Sequence, residues 1–283
     1  MKPAAQKDEA LLRDIESARA RRVSRLWWLG QSGFLVHAAG KSVLFDPYLS
    51  DSLTGKYANT DKPHERVTER VIAPELLRKI DVVICSHNHT DHLDAETLLP
   101  LFHANPQAVL VVPRANVGFV LERLGSVETR LVPVDAGERV RVAGIEFLGV
   151  PAAHNSVERD ERGCCRFLGY VARINNLTVY HSGDTLQHDG LVAALLPEKV
   201  GVALVPINGN RPQRRVAGNM NGPEAARLAF AIRAQLAVPH HFDMFAFNTE
   251  PPDAFVAECR RLGQPCRVLE NGSSLDLETY ASR

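Results

Sequence analysis

Four side chains able to ligate divalent ions fall within six positions: His87, His89, Asp91 and His92, in Ser86-His87-Asn88-His89-Thr90-Asp91-His92-Leu93-Asp94. Imidazole and carboxylate are the donors that zinc and its neighbours prefer. The stretch follows Ile80-Asp81-Val82-Val83-Ile84-Cys85, an apolar run that reads as a buried strand. In a chain leaving a strand, residues two apart project the same way, so His87 and His89 can hold one ion. Asp91 and His92, on the turn that follows, can face a second. The competing reading is a solvated histidine-rich loop, and the spacing directly after a strand weighs against it.

Two ions need further donors, and three places offer them, each after an apolar strand. They are His154 in Pro151-Ala152-Ala153-His154-Asn155, Asp184 in His181-Ser182-Gly183-Asp184-Thr185, and His241 in Pro239-His240-His241-Phe242-Asp243. Singly, each reads as an ordinary polar residue at a strand end. Their repeated placement predicts that they converge on one edge of the sheets.

The elements that must position these residues are legible in outline. Leu11, Leu12 and Ile15 at helical spacing predict a leading helix over 7–22. Strands are expected at 25–29, 34–37 and 42–45, as two hairpins broken by Gly30-Gln31-Ser32-Gly33 and Gly40. Further strands fall at 108–112, 131–134, 140–142, 145–150 and 202–206. Pro133 predicts an edge position for the second of these. A hairpin turns at Asn175-Asn176, between 167–173 and 177–181. Helices are expected from Asp94, at 115–123, at 223–234 and at 252–262, with a short strand at Ala237-Val238. Residues 48–72 are polar and aperiodic, and read either as a lid over the site or as a surface excursion. Leu77–Ile84 resembles Pro197–Leu204, which points to two similar halves.

The composition bounds the class. The chain has 283 residues, 45% hydrophobic and 23% charged, with a formal net charge of zero, as a globular protein with a substantial core would. The zero net charge and the lack of a long basic block disfavour nucleic acid as the main partner. The longest basic cluster, Arg19-Ala20-Arg21-Arg22, reads as a solvated helix face. No run of about 18 apolar residues predicts a membrane span, and the polar N-terminus does not read as a secretory signal. Five cysteines, two of them adjacent, make a poor disulfide framework, so a reducing, cytoplasmic setting is expected. Cys85 reads as a small buried apolar residue.

The ordered motifs His87-Asn88-His89-Thr90-Asp91-His92, His154, Ser182-Gly183-Asp184 and Pro239-His240-His241 resemble those of the metallo-β-lactamase superfamily, over about Leu26 to Leu262. Leu26-Trp27-Trp28-Leu29-Gly30, Tyr180-His181-Ser182-Gly183-Asp184, Asn219-Met220-Asn221 and Pro239-His240-His241-Phe242-Asp243 are similar to the branch that contains L-ascorbate-6-phosphate lactonase. The resemblance implies an α/β fold, a four-layer αββα sandwich of two mixed β-sheets. It implies one hydrolase domain over 23–283 behind a helical extension, 1–22. Carried over position by position, His87, His89 and His154 hold one divalent ion. Asp91, His92 and His241 hold the other, and Asp184 bridges them. His240 is the alternative to His241. Asp46 resembles the aspartate that orients a metal histidine. Ser86, Ser182 and His181 read as supporting residues behind the ligands, and His188 as a neighbour in sequence.

The expected chemistry is hydrolysis. Two ions about 3.5 Å apart share a hydroxide that attacks a carbonyl carbon or a phosphorus, with Asp91 aiming it. Zinc or manganese suits the donor set, and iron is also compatible. The expected substrate is a small anionic lactone, ester or phosphodiester. Arg211, with Asn210 and Asn221 nearby, is the expected anion-binding group, while Arg214 and Arg215 read as solvated. A nuclease of the same fold, a di-iron redox protein and a non-catalytic metal-binding protein are the alternatives. The lactonase resemblance also hints at a homo-oligomer.

Overall fold

A computed structural model describes residues 1–125 and 130–281. The chain opens with helix α1 (Asp8–Arg21), then hairpin strands β1 (Arg25–Gly30), β2 (Gly33–Ala38) and β3 (Lys41–Phe45). The segment expected to be a loop contains one short helix, α2 (Ser52–Tyr57). Strand β4 (Val82–Ile84) carries the histidine stretch at its C-terminal end. Helix α3 (Ala95–Ala104), strand β5 (Val109–Pro113), helix α4 (Val117–Leu124) and strand β6 (Leu131–Val134) complete the first half.

The second half runs β7 (Arg139–Val142), β8 (Ile145–Pro151), β9 (Leu168–Ile174), β10 (Leu177–His181), helix α5 (Leu191–Leu195), β11 (Val202–Pro206), helix α6 (Gly222–Ala231), β12 (Leu236–His240) and helix α7 (Asp253–Leu262). A last strand, β13 (Ser274–Asp276), returns to pair with β1 in the first half.

The strands make two mixed sheets, in the orders β13-β1-β2-β3-β4-β5-β6 and β12-β11-β10-β9-β8-β7. Strand β6, with Pro133, sits at an edge, where a residue lacking an N–H costs no ladder bond. Period-two alternation builds the layers. Leu26, Trp28, Phe34, Val36, Val43 and Phe45 face the second sheet and share one core with Phe147, Val171, Val179 and Leu204. Trp27, Leu29, Leu35 and Leu44 point the other way, against Leu11 and Ile15 of α1 and Leu98 and Leu101 of α3. Helices α6 and α7 cover the second sheet through Ala225, Leu228 and Phe255. The result is the expected αββα sandwich.

The similarity between 77–84 and 197–204 has a structural counterpart. Strands β4 and β11 each lie between two parallel neighbours, β3 and β5 in one sheet and β10 and β12 in the other. In parallel sheets the loops leaving the C-terminal ends of the strands converge, and that is where ligands collect. The segments after β4, β10 and β12 all leave from such ends.

Candidate metal centre

The loops after β4, β8, β10 and β12 bring seven side chains together at that edge. Donor atoms of His87, His89 and His154 lie within 4.8 Å of one another, as do those of His87, His92 and Asp184, and those of Asp91, His92 and His241. Asp184 joins the groups: its Oδ2 is 3.4 Å from His92 Nε2, 3.6 Å from His154 Nε2 and 3.2 Å from His241 Nε2. All but His89 and Asp91 are buried, and those two open onto a cavity of about 450 Å3. The donor set fits divalent ions. His87 Nε2, His92 Nε2 and Asp184 Oδ1 are buried with no hydrogen-bond partner in the protein, a costly state for a buried polar atom unless a ligand satisfies it.

The residues behind the cluster fix its tautomers. Asp46 ends β3 with φ of 39°, a strained left-handed turn for a non-glycine residue. That turn aims its buried carboxylate at the histidine loop. Oδ1 accepts from Ser86 N at 2.7 Å, while Oδ2 accepts from Ser86 Oγ at 2.6 Å and from His92 Nδ1 at 2.7 Å. A carboxylate only accepts, so His92 carries a proton on Nδ1, which leaves Nε2 as the nitrogen able to ligate an ion. The Ser86 hydroxyl spends its proton on Asp46 and accepts from His87 Nδ1 at 2.9 Å. His154 Nδ1 likewise donates to Gly218 O at 2.9 Å. Gly183 is obligatory here. Its φ is +58°, and a Cβ would lie 2.7 Å from Ser86 Cβ and 2.9 Å from Leu168 O.

The electrostatics divide the cluster. Burial, together with the neighbouring His92, holds His87 well below the ordinary histidine pKa. His89 is crowded by protein although its ring edge is open to the cavity; desolvation and His154 push it down to about 4. Burial also opposes charge on His92, but Asp184, Asp46 and Asp91 outweigh it and hold its pKa well above normal. His241 is raised in the same way, against burial, by Asp184 and Asp91. Asp184, despite its burial, is held well below the carboxylate range by His241 and His92.

The other expected residues fall in different places. His240 turns away from the cluster: its Nδ1 meets Ser32 Oγ at 3.1 Å, and its ring stacks on His181 at 4.9 Å. His181 accepts from Gly183 N at 3.1 Å, donates to Ser32 O at 2.8 Å and lies 3.9 Å from Asp46, so it braces the loop carrying Asp184. Ser182 donates to Gly183 O at 2.7 Å. His188 spans the carbonyls of Asp189 and Pro151.

The structure does not bring Asn210, Arg211 or Asn221 into the cavity. Arg211 pairs with Glu250 at 2.7 Å on the surface. Asn221 caps α6, accepting from Glu224 N at 3.0 Å. Asn210 packs against Gly218. Arg215 lines the cavity instead.

Sequence reasoning missed three supports. Gln31, in the turn after β1, donates to Asp91 Oδ2 at 2.8 Å. The Gly30-Gln31-Ser32-Gly33 turn was the only signal for it. Arg123 of α4 donates to Asn88 O at 3.0 Å and Leu93 O at 2.7 Å, tying down both ends of the histidine-bearing loop. The Phe167 ring packs 5.2 Å from that of His87 and 5.5 Å from that of His154.

The family model for the beta-lactamase superfamily domain matches residues 41–242, most of the chain. The chain belongs to the metallo-β-lactamase superfamily. Within it, the chain is 31% identical over 259 residues to a UPF0173 metal-dependent hydrolase of Methanopyrus kandleri, covering 89% of this chain and 99% of that one. A UPF0173 metal-dependent hydrolase of Opitutus terrae is 28% identical over 258 residues, 89% of this chain and 100% of that one. A metallo hydrolase from Ignicoccus hospitalis shares the fold, with a TM-score of 0.65 at 22% identity, over 90% of this chain and 99% of that one. This metallo-β-lactamase-fold chain is thus a metal-dependent hydrolase. Among the described residues, no helix is long and apolar enough to cross a membrane.

Proposed function

We propose that the chain hydrolyses a small anionic lactone, ester or phosphodiester. In this reading His87, His89 and His154 hold one divalent ion, Asp91, His92 and His241 hold a second, and Asp184 lies between them. The observation that carries the reading is Asp184 Oδ2, a single oxygen 3.2–3.6 Å from histidine nitrogens of both groups. The nitrogen-rich donors with two carboxylates favour zinc or manganese.

When bound, the ions would supply Lewis acidity and lower the pKa of water. The protein's part is positional. Gln31 engages Asp91 Oδ2, and among the described residues nothing is hydrogen-bonded to Oδ1. His92 and His241 outweigh burial and keep Asp91 below the usual carboxylate pKa, so it is ionised at neutral pH. Asp91 orients the attacking water through Oδ1. Phe167 shields one side of the histidines from solvent. The cavity volume, about 450 Å3, suits a small molecule. The resemblance to the L-ascorbate-6-phosphate lactonase branch favours a cyclic ester within this range.

The test is metal analysis of the purified protein, followed by an ester, lactone and phosphodiester panel with each metal restored. Two bound ions per chain and turnover abolished by His89→Ala are expected. Activity that survives both chelation and His89→Ala refutes the proposal. A metal-loaded protein inert on the whole panel favours a non-catalytic metal-binding role.

A further inference from the structure

The cavity above the cluster has walls of two kinds. Its carboxylates, Asp91 and Asp184, both belong to the donor cluster, and of its four cations Arg123 is spent on the carbonyls of Asn88 and Leu93, which leaves Lys56, Lys62 and Arg215. None of the three is neutralised in a way that would shut out a ligand. Lys56 has no carboxylate partner among the described residues, and its Nζ lies 5.3 Å from the centroid of the Tyr57 ring. Lys62 Nζ donates to a neutral acceptor, Arg215 O, at 2.5 Å. Arg215 pairs with Asp61, and both side chains are more than half exposed, so water screens that pair. Among the described residues, none of these three cations is hydrogen-bonded or ion-paired to Asp91 or Asp184. These cations attract an oxyanion separately from any ions held below.

The second kind of wall is aromatic. Tyr57 stacks on His64 with centroids 4.2 Å apart, and Phe247 meets His64 edge-on at 4.6 Å. All three rings are only partly buried. Tyr57 and Phe247 belong to a small apolar cluster distinct from the two that hold the sheets together. The shelf is therefore not needed for the sandwich. Burial lowers the His64 pKa, which leaves its ring neutral. A half-exposed aromatic surface facing a cavity gains by being covered with a flat apolar group.

We propose that the substrate is an aryl or similarly flat apolar oxyanion. Its ring lies on the Tyr57–His64–Phe247 shelf, and its carboxylate or phosphate sits among Lys56, Lys62 and Arg215. The 48–72 segment, which supplies four of these six residues, is then the specificity element of the site. The inference rests on the hydrolase reading for the reaction, but binding alone tests it.

The experiment is calorimetric titration of metal-loaded protein with 2-naphthylacetate, 2-naphthylmethylphosphonate, the neutral 2-naphthylethanol, and acetate. Both naphthyl oxyanions should bind at least about tenfold more tightly than naphthylethanol or acetate. The preferred one of the two identifies the oxyanion as carboxylate or phosphate. Lys56→Ala combined with Lys62→Ala should weaken the naphthyl oxyanions by about tenfold and leave naphthylethanol unchanged. Phe247→Ala should weaken every naphthyl ligand and leave acetate unchanged. Metal content and circular dichroism of each variant serve as fold controls. Equal affinity for charged and neutral naphthyl ligands, or a double lysine variant that binds like the wild type, overturns the proposal. A metal-loaded protein that turns over no ester while showing these binding differences defeats the hydrolytic reading and leaves the ligand class standing.

Discussion

The Asp46→Asn substitution isolates what the carboxylate behind the cluster does. Asp46 is fully buried and accepts three hydrogen bonds of 2.6–2.7 Å, two from Ser86 and one from His92 Nδ1. Asparagine keeps the shape but offers one accepting oxygen and one donating NH2. At least one of the three donors must then face an N–H. If the amide nitrogen takes the Oδ2 position, both His92 Nδ1–H and the Ser86 hydroxyl lose their acceptor. A buried hydrogen bond to a charged group contributes about 1.5–3 kcal/mol, so the variant should lose roughly 3 kcal/mol of stability. For a chain of this size that is a fall of roughly 5 °C in Tm.

The effect on metal should be more specific. Without Asp46, His92 no longer has its proton fixed on Nδ1, and loss of such an orienting partner costs about 10–100-fold in metal affinity. Chelator competition would read this directly, and the ion associated with Asp91, His92 and His241 should be the one that weakens. Saturating metal should restore much of the activity, because the ligands themselves are intact. A folded Asp46→Asn protein whose two metal affinities stay within about twofold of wild type would refute the orienting role.

Four further outcomes are expected. In the metal-free protein, His92 and His241 have raised pKa values, so their stabilising contribution is present below the unfolded histidine pKa and lost as pH rises through the folded values. Metal binding must therefore release the protons that these two histidines still hold, and affinity must climb with pH; calorimetry in buffers of different ionisation enthalpy should show the release, and its absence at about pH 6, below the ordinary histidine pKa, contradicts the assignment. Gly183→Ala should cost about 1–3 kcal/mol or more, through its positive φ and the close Ser86 side chain, and thermal melts would measure it. His241→Ala should remove one ion, whereas His240→Ala, which breaks contacts to Ser32 and His181, should lower Tm and keep both; elemental analysis separates the two. Arg123→Ala should free the carbonyls of Asn88 and Leu93 and reduce kcat by about tenfold with metal content retained, a split visible in steady-state kinetics.

The sequence displayed the site better than it displayed the surroundings. The clustered donors could be found because each group follows a run of apolar residues, and a buried strand announces its own end. His87, His154, Asp184 and His241 share that signature although they lie far apart in the chain. Strand β13 was not legible, because Ser274-Leu275-Asp276 has no apolar run and exists only through pairing with β1. Gln31 and Arg123 act through single hydrogen bonds whose geometry depends on distant backbone, so no local pattern marks them. The arginine run shows the same limit. Arg211 and Arg215 are equivalent by composition, but a 3-10 turn at Pro212–Arg214 separates them. Glu250 then captures Arg211 and Arg214, leaving Arg215 to the cavity.

The division of the donors between the two halves has a consequence for how the protein is made. His87, His89, Asp91 and His92 precede the second sheet, whereas His241 emerges only after β12, and its backbone N–H is then tied to Gln31 O at 3.0 Å across the sandwich. A nascent chain shows most of its donors well before the last one arrives. If His241 is a ligand as proposed, full loading is open only to a chain whose final parallel strand has docked. Under that assignment, ion occupancy would report that the two halves have docked, a state that a copy ending before β12 could not reach.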